Sequence, residues 1–465
     1  MENPAFGHIQ QFLSYMPAST DYPEIWALLR ENAVNGDPGE MQGLLSLLEE
    51  LSSVPQDRDI AIRLKLLYQV TRAVCGAPEE ALADLERLSV RYTQDVMVSG
   101  ALFFVRGLLD PDNPKYDLTG KICKGPFERV DVLENSVHQC CASYLPTSMG
   151  NLQNGAWQDV WNSPAAQAVR ESMLDGSYRY CNKILCPAIQ SNTVTTREQL
   201  LAKEPHWAPI VDARATEMTA GPAVVNLSYD RTCNLSCPSC RKEKFASSSE
   251  MRVRFEGLQN RNILPMLKTA RLAHVTGSGD PFASKNFRSL LKSLNREQFP
   301  DLKIQLMTNG MLFTPQEWEK FQNLKGMVGV LYVSIDAARG PTHEALRRGA
   351  KWETMLENLA FMGRLRAAGE VDHFVLTFVV QQENYREMGE AVDLARAVGA
   401  DSISFSPISN WGTFTSTKFR QKYIFAESHP EHADFLECMR DPRLNDPIVS
   451  ALALSDFRPA EPMAA

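Results

Sequence analysis

At 465 residues the chain is too long for one ordinary core, and its length suggests roughly two to four domains. A hydrophobic content of 44% and an aromatic content of 9% suit a globular protein with a sizeable interior. The net charge of −8 and pI near 5.6 offer no basic footprint for nucleic acid.

No apolar run reaches bilayer-spanning length, so no membrane association is expected. The best run, residues 97–109, is short and broken by Arg106. The opening Met-Glu-Asn-Pro-Ala-Phe lacks the basic and apolar regions of a secretory signal. Ten cysteines without such a signal point to a reducing, cytoplasmic setting, where thiols serve metals or catalysis.

Residues 1–118 read as an all-α domain, with apolar residues at helical spacing over 25–29, 41–51, 60–74 and 79–92. Pro and Gly punctuate these runs at Gly36-Asp37-Pro38 and Gly76-Ala77-Pro78. Residues 119–195 change character, with five cysteines, many turn formers and short segments. The charged, Pro-containing stretch 196–220 reads as a linker.

Over 221–415, strand and helix patterns alternate. Strands are expected at 223–229, 270–276, 303–308, 328–335, 374–380 and 402–406, with amphipathic stretches including 287–294, 315–321, 353–366 and 386–398. Parallel strands need crossovers, so the pattern predicts an α/β unit, a partial (β/α)6 TIM-like barrel. Residues 416–465 form a C-terminal tail.

Ligands gather at the carboxyl ends of such strands. The chemistry-bearing residues fall there. Cys233-Asn-Leu-Ser-Cys237-Pro-Ser-Cys240 follows the first strand, Gly277-Ser278-Gly279-Asp280-Pro281 the second, Thr308-Asn309-Gly310 ends the third, and Ser334-Ile335-Asp336 ends the fourth. Three thiolates in C-x3-C-x2-C spacing close around one small object and supply no fourth ligand; a [4Fe–4S] cube held by three leaves one iron open. Structural zinc wants four ligands, and no further Cys or His stands near in sequence.

With these motifs in this order, residues 221–415 resemble the radical S-adenosylmethionine superfamily. The resemblance implies that Cys233, Cys237 and Cys240 hold a [4Fe–4S] cluster whose open iron binds S-adenosylmethionine. It implies reductive cleavage of that cofactor, with the 5′-deoxyadenosyl radical taking a substrate hydrogen and a low-potential donor such as ferredoxin or flavodoxin supplying the electron. Gly277, Ser278, Gly279 and Asp280 stand where the family has a Gly-Gly-Glu-Pro segment beside the cofactor's amino group, with Ser for Gly and Asp for Glu as departures. Asn309 ends the third strand. Ser334 and Asp336 match residues near the ribose and carboxylate, Arg347 an arginine that meets the carboxylate, and Asn384 a polar residue near the cofactor. Ser239 departs from the aromatic many members place before the last cysteine.

Residues 119–195 resemble the SPASM auxiliary-cluster module, here ahead of the barrel. The matching residues are Cys123-Lys-Gly-Pro-Phe127, His138-Gln139-Cys140-Cys141, Gly150-Asn151-Leu152, Trp161-Asn162-Ser163, Cys181 and Cys186-Pro187. The resemblance implies that Cys123, Cys140, Cys181 and Cys186 hold a second [4Fe–4S] cluster, with Cys141 as the alternate to Cys140, and that the substrate is a peptide or protein.

Other readings stand beside these. The same machinery would serve as a dehydrogenase or epimerase of a small molecule such as a sugar or alcohol. Zinc would make the cysteines structural in a metal-stabilised helical interaction protein. Asp280 and Asp336 read alternatively as helix caps, Asn384 as a turn residue and Arg347 as a surface charge. Cys75 and Cys438 read as small buried hydrophobes, Cys438 alternatively as a hydrogen-atom donor. Trp411 reads as a core residue or as lining the substrate mouth.

Overall fold

The computed structural model describes residues 43, 45, 46, 48–50, 58–153, 155–450 and 452–457. The helix expected at 25–29 lies outside these residues, and that at 41–51 only partly inside them. The chain divides into two units, Met1–Asp131 with Ser136–Asn151 and Gln158–Gly221, and Val132–Asn135 with Leu152–Trp157 and Pro222–Ala465.

The first unit opens with helices Arg58–Val74, Pro78–Arg91 and Val96–Leu109. Pro78 starts its helix where no backbone donor is needed. Asp95 starts the next by accepting from Met97 N at 2.8 Å and Val98 N at 3.1 Å. The apolar run at 97–109 is a core helix: every residue from 98 to 105 is buried, and Val98, Ala101, Leu102, Phe104 and Val105 share one core cluster with Leu64, Leu67, Val70, Ala81 and Leu85. Among the described residues no helix is long and apolar enough to cross a membrane.

The cysteine-rich part is built from β1 (Arg129–Val132), β2 (Val137–His138), the helix Pro164–Leu174 and irregular turns. The stretch expected as a linker, 196–220, is folded. Thr196 and Gln199 cap the helix Arg197–Lys203 reciprocally, and Trp207 is buried edge-on against Phe127 with ring centroids 5.5 Å apart. Leu200, Val211 and Met218 are buried as well, four anchors scattered through an otherwise charged stretch, which is why its composition hid the fold.

In the second unit, parallel strands β3 (Val224–Leu227), β4 (Leu272–Val275), β5 (Lys303–Thr308), β6 (Val328–Ser334), β7 (Val371–Val380), β8 (Ser402–Pro407) and β9 (Val449–Ser450) lie side by side in chain order. The first six are the expected ones. The seventh comes from the tail and is too short to show a period.

Burial alternates along each strand. Leu227, Val275, Leu306, Val333, Phe378 and Phe405 are buried, whereas Asn226, His274, Gln305, Tyr332, Thr377 and Ser404 on the opposite face are only partly covered. Helices Trp352–Ala367 and Met388–Ala397 pack on β7 and β8 respectively. The partly covered face is mixed, with Val224, Leu272, Met307, Val330, Val375 and Val379 standing beside the polar residues.

Candidate functional site

The cysteine loop leaves β3 through a fixed base. Asp230, buried, accepts from Thr232 N at 2.9 Å, Thr232 Oγ1 at 2.7 Å, Ser247 Oγ at 2.7 Å and Ser284 Oγ. Cys233 N donates to Phe245 O at 2.9 Å and closes the loop into a bridge. Cys240 N and Arg241 N both donate to Cys237 O at 2.9 Å, which turns the chain tightly between the last two thiols.

Each sulfur has its own N–H donors. Cys233 Sγ receives Leu235 N at 3.5 Å and Asn309 Nδ2 at 3.6 Å. Cys237 Sγ receives Arg347 Nη1 at 3.9 Å. Cys240 Sγ receives Arg241 Nε at 3.4 Å and Nη2 at 3.5 Å. Burial pushes the Cys233 and Cys237 thiols up, and the Arg347 charge opposes this at Cys237.

A zinc ion with Zn–S of about 2.3 Å would draw its thiolates to roughly 3.8 Å of one another. Among the described residues no three cysteine sulfurs lie within 4.8 Å of one another. N–H donors on every sulfur fit the thiolates of an iron–sulfur cluster.

The loop after β4 seats directly on the cysteine loop. A Cβ at Gly279 would stand 2.6 Å from Thr232 O and 2.7 Å from Asp230 O, so only glycine fits. Ser278 Oγ donates to Ser228 O at 2.8 Å, and Gly277 N to Ser228 Oγ at 3.3 Å.

Asp280 is fully buried and committed to the protein itself. Oδ1 accepts from Phe282 N at 3.0 Å and Ala283 N at 3.1 Å, Oδ2 from Thr308 Oγ1 at 2.7 Å and Asn309 N at 2.9 Å. With both oxygens engaged, the expected side-chain contact to a cofactor amine has no lone pair to use. Asp280 instead braces the end of β5, aiming Asn309 at Cys233 and at Asn234 Oδ1, 2.9 Å away.

Asn384 is occupied in the same way. It donates to Asp336 O and Val379 O and accepts from Gln381 N, all at 2.8 Å. It ties the ends of β6 and β7 together instead of facing a ligand. Ser334 Oγ accepts from Thr377 Oγ1 at 3.1 Å on the neighbouring strand.

Arg347 is not a surface charge. It caps the C-terminal end of helix Gly340–Leu346, and its side chain is 12% exposed. Nη2 lies 2.8 Å from Asp336 Oδ2, while Nε is buried without a partner. Burial opposes the guanidinium's charge, but Asp336 and Cys237 more than offset it and raise its pKa. The unused Nε is a donor left for an anionic group.

In the first unit the upstream cysteines come together. Burial, then the Cys123 charge, pushes the Cys140 thiol up to about 12, and burial pushes Cys123 up to about 11 with Cys186 adding to it. Burial likewise raises Cys181, with Cys123, Cys186 and Cys140 all acting on it. The fourfold set of Cys123, Cys140, Cys181 and Cys186 is thus mutually adjacent in charge. Cys141 acts on Arg129 and Tyr144. The buried ammonium of Lys183 donates to Tyr178 O at 2.8 Å, the carbonyl that also receives Cys181 N.

Arg241 and Asp230 were not singled out by sequence reasoning; the signal for Arg241 was its place directly after Cys240. Trp411 is 67% exposed, which removes its core reading. Its loop is pinned by Thr413 Oγ1, which donates to Ser239 O at 3.2 Å. Cys75 is exposed at the end of its helix and is no buried hydrophobe, whereas Cys438 is half-buried on helix His432–Cys438. All ten cysteines are free thiols.

Residues 227–395 match the model of the Radical SAM superfamily, and residues 123–187 match that of the SPASM iron–sulfur cluster-binding domain. No curated protein matches the chain. Among solved structures it is similar to Streptococcus suis SuiB at 14% identity, covering 58% of this chain and 60% of SuiB with a TM-score of 0.36. For SuiB bound to precursor peptide SuiA the identity is 13%, the coverage 53% of each chain and the TM-score 0.32. For anSMEcpe with bound AdoMet and Kp18Cys peptide the values are 17%, 50% of this chain, 64% of that chain and 0.34. The chain spans about half the length of the SuiB structures it matches.

Proposed function

Residues 227–395 place the chain in the radical SAM superfamily, with a SPASM iron–sulfur domain ahead of that region, and from this premise we propose that it is a radical S-adenosylmethionine enzyme that modifies a peptide or protein. The observation that carries the reading is the clasp itself: three thiols at one strand end, each met by N–H donors, with a loop that accepts no side chain at Gly279 packed beside them.

In this reading Cys233, Cys237 and Cys240 hold a [4Fe–4S] cluster, and Cys123, Cys140, Cys181 and Cys186 hold a second one. Held there, a reduced cluster would supply one electron to the sulfonium of bound S-adenosylmethionine, the chemistry by which this cofactor class abstracts a substrate hydrogen atom. The chain's own part is to hold and orient. Arg347 presents its free Nε toward an anionic headgroup, fixed in direction by Asp336. Asp280 and Asn384 lock the strand-end loops so that the cradle is preorganised. The strands and the loops at their ends would shield a reactive radical from solvent. Free thiols throughout fit a reducing, cytoplasmic setting with a ferredoxin- or flavodoxin-like electron donor.

The peptide part rests on the SPASM domain and what it commonly accompanies. Anaerobic reconstitution with iron and sulfide, reduction in the presence of S-adenosylmethionine and assay for 5′-deoxyadenosine test the chemistry. Cys237→Ala is expected to abolish 5′-deoxyadenosine, and undiminished formation would overturn the assignment. Cys186→Ala is expected to leave cleavage measurable while blocking product. The substrate class is read from deuterium transfer, with a deuterated cell extract split by size. Label entering 5′-deoxyadenosine from the peptide fraction supports the proposal; label from the small-molecule fraction alone supports a sugar or alcohol dehydrogenase instead.

A further inference from the structure

Two guanidiniums reach sulfurs of the clasp, and they are not equivalent. Arg347 reaches Cys237 Sγ at 3.9 Å but shares its charge with Asp336, 2.8 Å away. Arg241 places two nitrogens, Nε and Nη2, at 3.4 and 3.5 Å from Cys240 Sγ. The charges acting on Arg241 are those of Cys240, Cys233 and Cys237. Its remaining hydrogen bonds go to carbonyls, Arg231 O at 2.6 Å and Ser278 O. Cys240 is also the most exposed residue of the three, and Arg241 is the side chain that donates to its sulfur.

N–H···S bonds and a nearby positive charge draw electron density from a thiolate and stabilise the more negative, reduced state of a cluster. A charge already neutralised by a carboxylate does this less. Arg241 is therefore the larger lever on the metal's electronics. Through Ser278 it also fastens the loop 277–281 to the cysteine loop, so the distance between the two is fixed by the same side chain.

We infer that Arg241 is a positioning residue that sets the reduction potential of the cluster at the clasp, holding it less negative than the thiolates alone would, while anchoring the ligand loop through Ser278. This rests on the cluster assignment proposed above.

The test uses the full-length, anaerobically reconstituted protein and an electron-paramagnetic-resonance redox titration. The clasp's reduction wave is the one missing from Cys237→Ala, and any other wave serves as an internal control. Arg241→Gln keeps neutral donors and removes the charge; Arg241→Lys keeps the charge and removes the fork. The expected result is a negative shift of the clasp wave in Arg241→Gln, a smaller one in Arg241→Lys and no movement of the control wave. An unmoved wave in Arg241→Gln at wild-type iron and sulfide content overturns the inference. Loss of the cluster from both variants does so too, since it makes Arg241 a scaffold and not a tuning group. A wild-type protein that takes up no iron is a separate result, which sinks the cluster assignment itself.

Discussion

Asp336 holds Arg347 in place: its Oδ2 lies 2.8 Å from Nη2, while Nη1 of the same guanidinium points at Cys237 Sγ. Asp336 sits at φ +52°, a backbone state that asparagine also tolerates, and its Oδ1 accepts from Val379 N at 2.8 Å. Asp336→Asn therefore keeps the turn and the strand contact but leaves a largely buried guanidinium unpaired. The expected loss is about 3 kcal/mol of stability in urea unfolding. A midpoint within error of wild type would mean the pair is not coupled to the fold.

Gly279 and Gly277 differ in what surrounds them, and the difference is measurable. A methyl at 279 meets two backbone oxygens at 2.6 and 2.7 Å, which cannot rotate away; one at 277 meets the Ser228 hydroxyl at 3.3 Å, which can. Gly279→Ala is expected to part the two loops, at a cost of roughly 1–3 kcal/mol, and to lower iron uptake. Gly277→Ala should load iron as wild type does. Equal iron content in the two variants would show that the close seating of these loops does not govern assembly.

His343 gives the second unit a pH dependence. It is fully buried; Nδ1 lies 2.7 Å from Ile335 O and so carries the proton, while Nε2 has no partner. Burial, reinforced by Arg347, lowers its pKa below the ordinary 6.5, so the folded state holds it neutral. Below about 6.5 the unfolded chain binds a proton that the folded one refuses, so stability falls as pH drops from there to the lowered folded pKa. The neutral substitution His343→Phe keeps a ring against Trp352 and should flatten the slope of unfolding free energy against pH between about 5 and 7. An unchanged slope would place the dependence on other groups.

The six strands of the second unit were legible because each is a short run rich in apolar and β-branched residues set between helical stretches and turn formers, as in Phe374-Val375-Leu376-Thr377-Phe378. β9, two residues long, had no such run. The clasp was legible because cysteine spacing is a local signal. What the side chains do at the strand ends was not, because Asp280 reaches 28 positions along the chain to Thr308, and Arg347 110 positions back to Cys237. A carboxylate that serves a cofactor and one that serves the fold look alike in sequence; only the count of donors around Asp280 separates them. Arg241 went unread for a similar reason, since a basic residue in a loop ordinarily points to water.

Arg170 makes the last case, again invisible in one dimension. It is fully buried, stacks over Trp161 at 4.3 Å, and gives its protons to Pro126 O at 3.0 Å, Trp161 O and Thr216 O at 2.8 Å, and Asn162 Oδ1 at 3.1 Å. Burial lowers its pKa to about 9, which still leaves it charged at neutral pH. One side chain thus joins the turn after Cys123 to the folded stretch around residue 216. Arg170→Met fills the volume but orphans two carbonyls, Trp161 O and Thr216 O, at roughly 1–3 kcal/mol each if they stay dry, while Pro126 O keeps the Gln139 Nε2 donor at 2.9 Å. Arg170→Lys restores the charge without the planar fork and can satisfy only part of the set. Arg170→Met is expected to lose iron down to the content of the Cys186→Ala protein and Arg170→Lys to fall between it and wild type, with both still forming 5′-deoxyadenosine. Full iron content in Arg170→Met would show that the module holds its shape without this brace.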